Sequence, residues 1–309
     1  MGQEGSPSMK VLTLLNPLAG SGRALRIFKR IRKFLSSLNS KIVILKPSKP
    51  IKKVFSKLDI PDYFVVIGGD GTVRSVIEAM IYCNHVDSII VPYLGGSGGE
   101  LSHYAGILTP KDLEIAFSAG IMRKIDVFKA SVRLSNGEEK ELVFAANLQI
   151  GHFALGIKET PAFFKRLFGS VGYMHGVLKA VIKRVNKDAR VQAENFFFSG
   201  KIYTIHFGNV STTRGGVPVA PLARPNDGKI DMMLAKAIGR IEALKTLPRV
   251  LRGEHLSHPA VVYKQFSGRV VIELENDHVA IDGEYLGLAK KVEIEFLNKV
   301  KILCRPNKG

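Results

Sequence analysis

The stretch Tyr63–Thr72, YFVVIGGDGT, decides the fold of the first part of the chain. It passes from an apolar run, Tyr63–Ile67, through two glycines and an aspartate into apolar residues at helical spacing. A short apolar run bounded by glycines is typical of a buried strand. The stretch therefore predicts a strand that turns directly into a helix. Glycines and the free N–H groups of a helix N-terminus let a phosphate approach the backbone of such a turn.

The alternation of strand and helix continues on both sides of this stretch. Three further strands are predicted, at Val11–Leu15, Ile42–Leu45 and Ser88–Val91. Helical apolar stripes lie between the strands, and Thr109-Pro110 marks the start of another helix, with Thr109 as its N-cap. Alternating strands and helices predict a parallel sheet with right-handed crossovers.

The pattern changes near Arg123 to a series of strands. The predicted strands are Lys129–Leu134, Glu139–Leu148, Lys201–Phe207, Lys229–Leu234 and Gly268–Glu275. Two segments interrupt them. Pro161–Arg190 mixes aromatic and basic residues that either meet a membrane interface or form ordinary core and solvated surface. Gly239–Gly253 is predicted to be a basic helix.

The composition limits the class of protein. The chain has 309 residues, 46% of them hydrophobic, which is enough for two domains. The net charge of +18 attracts polyanions such as nucleic acid, anionic lipid headgroups or nucleotide phosphates. Two cysteines outside any C-x-x-C pair predict neither a disulfide framework nor a zinc ribbon. With no apolar run of about 20 residues and no signal peptide, a cytoplasmic protein is expected, starting at Met1 or Met9.

Three glycine-rich loops follow predicted strands. They are Asn16–Gly22 (NPLAGSG), Gly68–Thr72 (GGDGT) and Leu94–Glu100 (LGGSGGE). Loops at the carboxyl ends of parallel strands lie side by side, where open α/β folds bind ligands. Three such loops suit a nucleotide that is held through backbone contacts. The alternative for Gly68–Thr72 is a tight turn in which Asp70 caps a helix.

These loops, in this order, resemble the diacylglycerol kinase catalytic family, which includes soluble bacterial lipid kinases and sphingosine kinases. Asn226–Asp231 resembles the family's D-G-x-L-D segment, and Ile281–Glu284 resembles its D-G-E motif. The resemblance implies an α/β plus β fold, with an N-terminal NAD kinase-like nucleotide-binding domain and a C-terminal β-sandwich. The expected domains are 1–128, to which 297–309 return, and 129–296.

The resemblance also implies the activity: an ATP-dependent lipid kinase that phosphorylates a hydroxyl of a diacylglycerol-like or sphingoid lipid. The implied cofactors are ATP and Mg²⁺. The implied catalytic carboxylates are Glu284, Asp282 and Asp70, with the choice among them open, and Asp227 matches a metal or charge-network position. The implied nucleotide contacts are Asn16, Pro17, Gly20, Gly68, Gly69, Gly71, Thr72, Gly96, Ser97 and Glu100. An anionic membrane surface, peripheral membrane association and a homodimer are expected on the same ground.

One departure from the family pattern lies in the third loop, where Gly98–His103 replaces the Asn-Asp pair of many relatives. It leaves the substrate subclass open and motivates a catalytically silent lipid-binding relative as one alternative. A second alternative is an NAD kinase-like enzyme that phosphorylates a nucleotide ribose, because that family shares G-G-D-G-T. No zinc finger or RNA-recognition motif is present, so no specific nucleic acid is expected.

Overall fold

The computed structural model describes residues 9–46, 51–95, 98–160, 174–213 and 216–306. The chain forms two compact units. Unit 1 comprises Met1–Arg123 and Val300–Gly309, and unit 2 comprises Lys124–Lys299. The sequence prediction placed the first boundary at residue 128 and the return of the chain at residue 297.

Unit 1 is an α/β structure around a parallel sheet. Its elements are β1 (Val11–Leu15), α1 (Arg23–Ser37), β2 (Lys41–Ile44), α2 (Ile51–Phe55), β3 (Tyr63–Gly68), α3 (Asp70–Tyr82), β4 (Ile89–Leu94), α4 (Glu100–Ala105) and α5 (Pro110–Ala119). The strands lie in the order β4-β3-β1-β2, all parallel. The end of the last strand of the chain joins this sheet, with Lys301 paired to Ile89 in parallel.

Local sequence explains how the helices of unit 1 begin and pack. The side chain of Thr109 accepts the backbone N–H of Asp112, and Asp112 returns the bond, so the predicted N-cap of α5 is confirmed as a full capping box. Helix α1 buries Ala24, Ile31 and Leu35 against the sheet. Its polar face contains exposed arginines and lysines and no acidic residue, so α1 carries much of the positive charge of unit 1.

Unit 2 is built mainly from antiparallel strands. Its elements are β5 (Ile121–Leu134, which begins in unit 1), β6 (Glu139–Phe144), β7 (Asn147–Gly151), α6 (His152–Glu159), α7 (174–183), β8 (Lys187–Ala193), β9 (Phe196–Gly208), β10 (Ile230–Lys236), α8 (Arg240–Arg252), β11 (Val261–Phe266), β12 (Val270–Ile281) and β13 (Glu284–Cys304). The strand order is β11-β10-β9-β7-β12-β13, and β8 pairs with both β9 and β12. Phe128, Phe144, Phe207 and their neighbours fill the main core. The predicted fold class, α/β followed by β, is confirmed.

The predicted strand Glu139–Leu148 is wrong as a single strand. The structure divides it into β6 and β7 at Ala145–Ala146. The backbone N–H groups of Ala145 and Ala146 donate to the carboxylate of Asp282 instead of a neighbouring strand. A side chain distant in sequence thus ends β6, and the sequence pattern of the strand gives no sign of it. The other predicted strands occur in the structure. β1 has the predicted bounds, β2 is shifted by one residue, and the rest are longer than predicted.

None of the helices in the described part of the chain is both long and apolar enough to cross a bilayer.

Two buried histidines make the stability of unit 2 depend on pH. Burial lowers the pKa of both His152 and His206 to about 3, and neither nitrogen of His206 has a hydrogen-bond partner among the described residues. Both stay neutral in the folded state at pH 5, whereas an unfolded histidine, with a pKa of about 6.5, binds a proton. Each histidine should therefore lower the free energy of unfolding by about 2 kcal/mol when the pH falls from 7 to 5.

Urea unfolding at the two pH values measures this loss, and His206→Gln should reduce it by about 2 kcal/mol. Carboxyl groups with lowered pKa, such as that of Asp112, lose their stabilising effect only at lower pH. Equal unfolding free energies at pH 7 and pH 5 would contradict the assignment.

Candidate functional site

In unit 1 the loops after β1 and β3 are joined by Asn16. Its Nδ2 donates to Thr72 Oγ1 at 2.9 Å, and its Oδ1 accepts the N–H of Leu18 at 3.1 Å. Its own backbone N–H donates to the Ile67 carbonyl. The side chain therefore fixes the first loop and bonds it to the first turn of α3. The sequence placed both Asn16 and Thr72 at the nucleotide, and the structure brings them together.

The loops after β3 and β4 approach each other backbone to backbone. The N–H of Gly95 donates to the Gly68 carbonyl at 2.8 Å. A Cβ on Gly95 would lie 2.8 Å from the Gly68 nitrogen, and a Cβ on Gly68 would lie 2.5 Å from Thr72 Cβ. Neither position admits a side chain, so glycine is required at both for a steric reason.

Asp70 links the second loop to the third. It is the first residue of α3, and its two carboxylate oxygens accept the backbone N–H groups of Gly99 and Glu100 at 2.9 and 2.8 Å. Those groups begin α4, where Gly99 has the left-handed φ of 76°. The sequence prediction made Asp70 a catalytic carboxylate. Its contacts in the structure favour the alternative interpretation, a helix cap, but the helix it caps is α4 and not its own.

A cavity of about 490 Å³ opens beside these loops within unit 1. Its lining includes three predicted nucleotide contacts, Asn16, Gly71 and Thr72. It also includes residues that the sequence prediction missed, namely Ser75, Glu78, Lys46 and Lys52. Ser75 follows Thr72 by three residues, so its position on the same face of α3 was available from helical spacing. The volume lies in the range of small-molecule sites.

The remaining predicted contacts lie elsewhere or are undescribed. Gly68 and Gly69 form the turn before α3, and Pro17 and Gly20 lie in the first loop; among the described lining residues of the cavity none of the four occurs. Glu100 is buried at the start of α4. Gly96 and Ser97 lie outside the described residues.

In unit 2 the predicted D-G-E motif forms a hairpin turn between β12 and β13. Asp282 and Gly283 have φ of 43° and 74°, and Ile281 pairs with Glu284 across the turn. Positive φ at both central residues is the type of turn that matches the twist of a two-residue hairpin. Asp282 is buried, and its carboxylate accepts the N–H groups of Ala145, Ala146 and Asn147 at 3.3, 3.1 and 2.9 Å. Glu284, the first residue of β13, is exposed.

These contacts separate the roles of the two acidic residues of the motif. Asp282 holds the start of β7 and has three donors around it, so it acts on the backbone. Glu284 is exposed at the surface of unit 2, and its role as a proton acceptor stays a prediction.

Asp227 is exposed, and its Oδ1 accepts the N–H of Lys229. Two carboxylates in this region are buried. Asp126 accepts the Gly228 N–H at 2.7 Å and lies 2.9 Å from Lys299 Nζ. Asp231 accepts hydrogen bonds from Tyr263 Oη at 2.7 Å and from Gln265 Nε2 at 3.0 Å. Among the described residues there is no group of three or more His, Cys, Asp or Glu side chains placed to hold a metal. The metal role of Asp227 therefore stays a prediction, and Asp126 is the residue that organises the segment.

Unit 2 also contains an apolar cavity, which the sequence prediction missed. It is a slot of about 60 Å³. Its wall is formed by α6, α8, β9 and β10, by single residues of α7 and β11, and by the segment between α8 and β11. It includes Phe153, Val181, Tyr203, Met233, Ala243, Leu247 and Val250. Water needs several polar partners to occupy such a space, whereas apolar groups fit it directly. Ala243 is the one fully buried residue of α8, all of which is described, so this wall is lightly packed.

Two polar side chains at the cavity wall, His152 and Tyr203, are bonded to each other. The pKa of His152 is lowered to about 3 by burial and by the nearby Arg184 guanidinium, and its Nδ1 bonds Tyr203 Oη at 2.9 Å. Arg184 follows α7 and makes a buried two-bond ion pair with Asp277, and it also donates to the carbonyls of Ile202 and Tyr203. Breaking such a pair leaves a buried charge, so Arg184 fastens the end of α7 to β9 and β12.

Comparison with known proteins identifies the family. Residues 10–130 match the model of the diacylglycerol kinase catalytic domain, and residues 157–300 match that of the YegS C-terminal NAD kinase β-sandwich-like domain. The chain belongs to the diacylglycerol kinase catalytic domain family. The diacylglycerol kinase of Staphylococcus carnosus is 25% identical over 241 residues, which cover 77% of this chain and 74% of that protein. The diacylglycerol kinase of Bacillus subtilis is 22% identical, covering 74% and 72%.

Solved structures of this family and of NAD kinases share the fold. The crystal structure of a diacylglycerol kinase from Bacillus anthracis covers 97% of this chain and 98% of its own, with a TM-score of 0.70 and 19% identity. An NAD kinase from Archaeoglobus fulgidus, solved in complex with ATP, covers 96% and 94%, with a TM-score of 0.50 and 12% identity. These likenesses confirm the predicted fold, an NAD kinase-like first domain and a β-sandwich second domain.

Gly95→Ala tests the close approach of the loops in unit 1. The new methyl group would lie against the Gly68 backbone, which is held in β3 and has no room to move aside. We expect a lower thermal midpoint and ATP binding weakened by about tenfold or more, since overpacking costs about 1–3 kcal/mol. Calorimetric titration with ATP measures the second effect.

Gly239→Ala is the matched control. A Cβ added at Gly239 would have no atom within 4 Å, and the residue has a negative φ, so this variant should bind ATP like the original protein. ATP binding that is equally tight in the Gly95→Ala protein would contradict the role of the glycine contact.

Proposed function

We propose that this protein is an ATP-dependent lipid kinase that phosphorylates a hydroxyl of a diacylglycerol-like or sphingoid lipid at a membrane surface. The observation that carries the proposal is the apolar slot of unit 2, in a chain whose family is named for lipid phosphorylation. A nucleotide ribose would need polar contacts in unit 2. The slot offers aliphatic and aromatic walls, which favour a hydrocarbon chain.

Unit 1 fits the phosphates of ATP. Gly71 contributes backbone without a side chain to the lining of the cavity, and Lys46 brings positive charge to it, whereas Lys52 is paired with Glu78 at 2.9 Å. Asn16 and Thr72 place polar groups on the same cavity. The fold neighbour from Archaeoglobus fulgidus binds ATP, which supports the same donor here.

Bound ATP supplies the phosphoryl group, and Mg²⁺ neutralises charge on its oxygens, as in other phosphoryl transfers. The residues of this chain supply position and proton transfer. Asp70 holds the third loop against the second, so the backbone around Gly95 stays where the phosphates would lie. Asp282 holds the turn that presents Glu284. The oxygen of the lipid hydroxyl forms a bond to the γ-phosphorus while the bond from that phosphorus to ADP breaks. Glu284 accepts the proton that the hydroxyl loses.

Unit 2 binds and orients the lipid. The slot, at about 60 Å³, holds only a few methylene groups as it stands. Helix α8 forms one wall with few buried contacts, so an entering hydrocarbon chain can widen the slot there at small cost in packing. The neutral His152–Tyr203 pair adds a polar group that hydrogen-bonds without bringing charge into the slot.

Glu284→Gln tests the proposal and the base together. The amide keeps the shape of the side chain but takes up no proton, so kcat should fall by about 10²–10⁴. The KM for ATP and the thermal midpoint should stay close to their original values, because the residue is exposed. The measurement is transfer of label from γ-labelled ATP to diacylglycerol or a sphingoid base in mixed vesicles.

Glu194→Gln, which changes an exposed carboxylate on the same unit, is the control and should leave kcat unchanged. Labelled lipid formed at the same rate by the Glu284→Gln protein would exclude Glu284 as the base. A protein that forms no labelled lipid at all with either residue at position 284 would contradict the proposed function itself.

A further inference from the structure

Helix α8 has two apolar faces, and the slot accounts for only one of them. Its inner face contributes Ala243, Thr246, Leu247 and Val250 to the wall of the slot. Its outer face carries a second apolar stripe that no described residue covers. Ile241, Leu244 and Leu251 are 72%, 47% and 43% exposed, and with Pro248 they follow the 3-4-3 spacing of a single helical face.

Helix α7 repeats the arrangement on a smaller scale. Val177, Ala180 and Val181 are buried, and Val181 reaches the slot. Leu178, Ile182 and the following Val185 are 43%, 66% and 63% exposed and again share one face. Large aliphatic side chains exposed singly are common on proteins, but two helices that each present a stripe of them mark an interaction surface.

The charges around the outer stripe of α8 indicate what covers it. Arg240, Lys245 and Arg249 are exposed, and among the described residues none of them has a carboxylate within ion-pair distance. The single acidic residue of α8, Glu242, pairs with His258. A helix with an aliphatic face flanked by unneutralised cations is the pattern of a helix that lies in the interface of an anionic bilayer.

A second copy of the chain suits this surface less well. A symmetric dimer through α8 would bring Lys245 and Arg249 of each copy near the same cations of the other, which repel. An anionic bilayer complements both features at once, because its headgroups meet the cations and its acyl chains receive the aliphatic stripe.

We infer that the outer faces of α8 and α7 insert into the headgroup region of an anionic bilayer. Because the inner faces of the same helices line the slot, the slot takes its lipid directly from the membrane. That a lipid enters the slot rests on the proposed function. The docking surface itself depends only on the outer stripes and their cations. It lies mainly on Gly239–Gly253, the basic helix predicted from the sequence, rather than on the aromatic residues 161–173, which are outside the described part of the chain.

The test uses the full chain with Ile241 and Leu244 both changed to glutamate. Both side chains point away from the slot and are exposed, so folding should be unaffected, and circular dichroism and the thermal midpoint verify this. Co-sedimentation is measured with vesicles of phosphatidylcholine alone and with vesicles that also contain phosphatidylglycerol. ATP is left out of both preparations, so binding is read independently of activity.

The original protein should bind the phosphatidylglycerol vesicles more tightly than phosphatidylcholine alone. The double variant should bind at least about tenfold more weakly, since each inserted aliphatic side chain contributes roughly that factor. Lys245→Glu with Arg249→Glu should remove the preference for phosphatidylglycerol. Phe197→Glu, which changes an exposed apolar residue of β9, is the matched control and should bind normally.

Activity separates the two proposals. The Ile241→Glu, Leu244→Glu protein should phosphorylate a short-chain, water-dispersed diacylglycerol at the original rate and lose activity only on substrate embedded in vesicles. Unchanged vesicle binding by this variant overturns the docking surface, even if the lipid kinase activity is confirmed. No binding of the original protein to either vesicle also overturns it and assigns the surface to an acidic protein partner. Normal docking without phosphorylation of any lipid supports the surface while contradicting the proposed function.

Discussion

The interaction on which both candidate sites depend is the bond between an aspartate in a glycine turn and the backbone N–H groups of a neighbouring loop. Asp70 makes it in unit 1, to Gly99 and Glu100, and Asp282 makes it in unit 2, to the residues that begin β7. Hydrogen bonds to a carboxylate are stronger than those between neutral groups. They fix loop backbone where no regular secondary structure can, and they leave Glu284 as the motif carboxylate presented to solvent.

The cavities of the two units differ in polarity. The cavity of unit 1 is lined by polar side chains, by Gly71 and by Lys46, which suit a phosphate group. Unit 2 contains a narrow apolar slot, in which burial favours the neutral forms of His152 and Tyr203. Helix α8 serves the slot on one face and leaves aliphatic side chains on the other. In water that arrangement is costly, and at a lipid interface it becomes favourable.

The sequence predicted the fold well because its strongest signals are local. Apolar runs followed by glycine turns indicated β1 and β3, and Thr109-Pro110 indicated the start of α5, since strand burial, helix spacing and capping act over a few residues. The division of Glu139–Leu148 was missed because it depends on Asp282, more than a hundred residues away. For the same reason, the sequence did not decide whether Asp70 is a catalytic carboxylate or a helix cap. The backbone groups that donate hydrogen bonds to it lie in another loop. The slot was missed because it is assembled from six elements whose relative positions no spacing reveals.

The most direct test compares the original protein with the Ala243→Phe variant. Each is incubated with γ-labelled ATP, Mg²⁺, a mixed panel of lipids and NAD⁺ in one reaction. The added ring would fill the slot from its α8 wall. We expect the original protein to form labelled lipid and no labelled NADP⁺. The variant should form no labelled lipid, while calorimetry should show that it binds ATP as the original protein does. Label in NADP⁺ alone, or lipid phosphorylation that persists when the slot is filled, would contradict it.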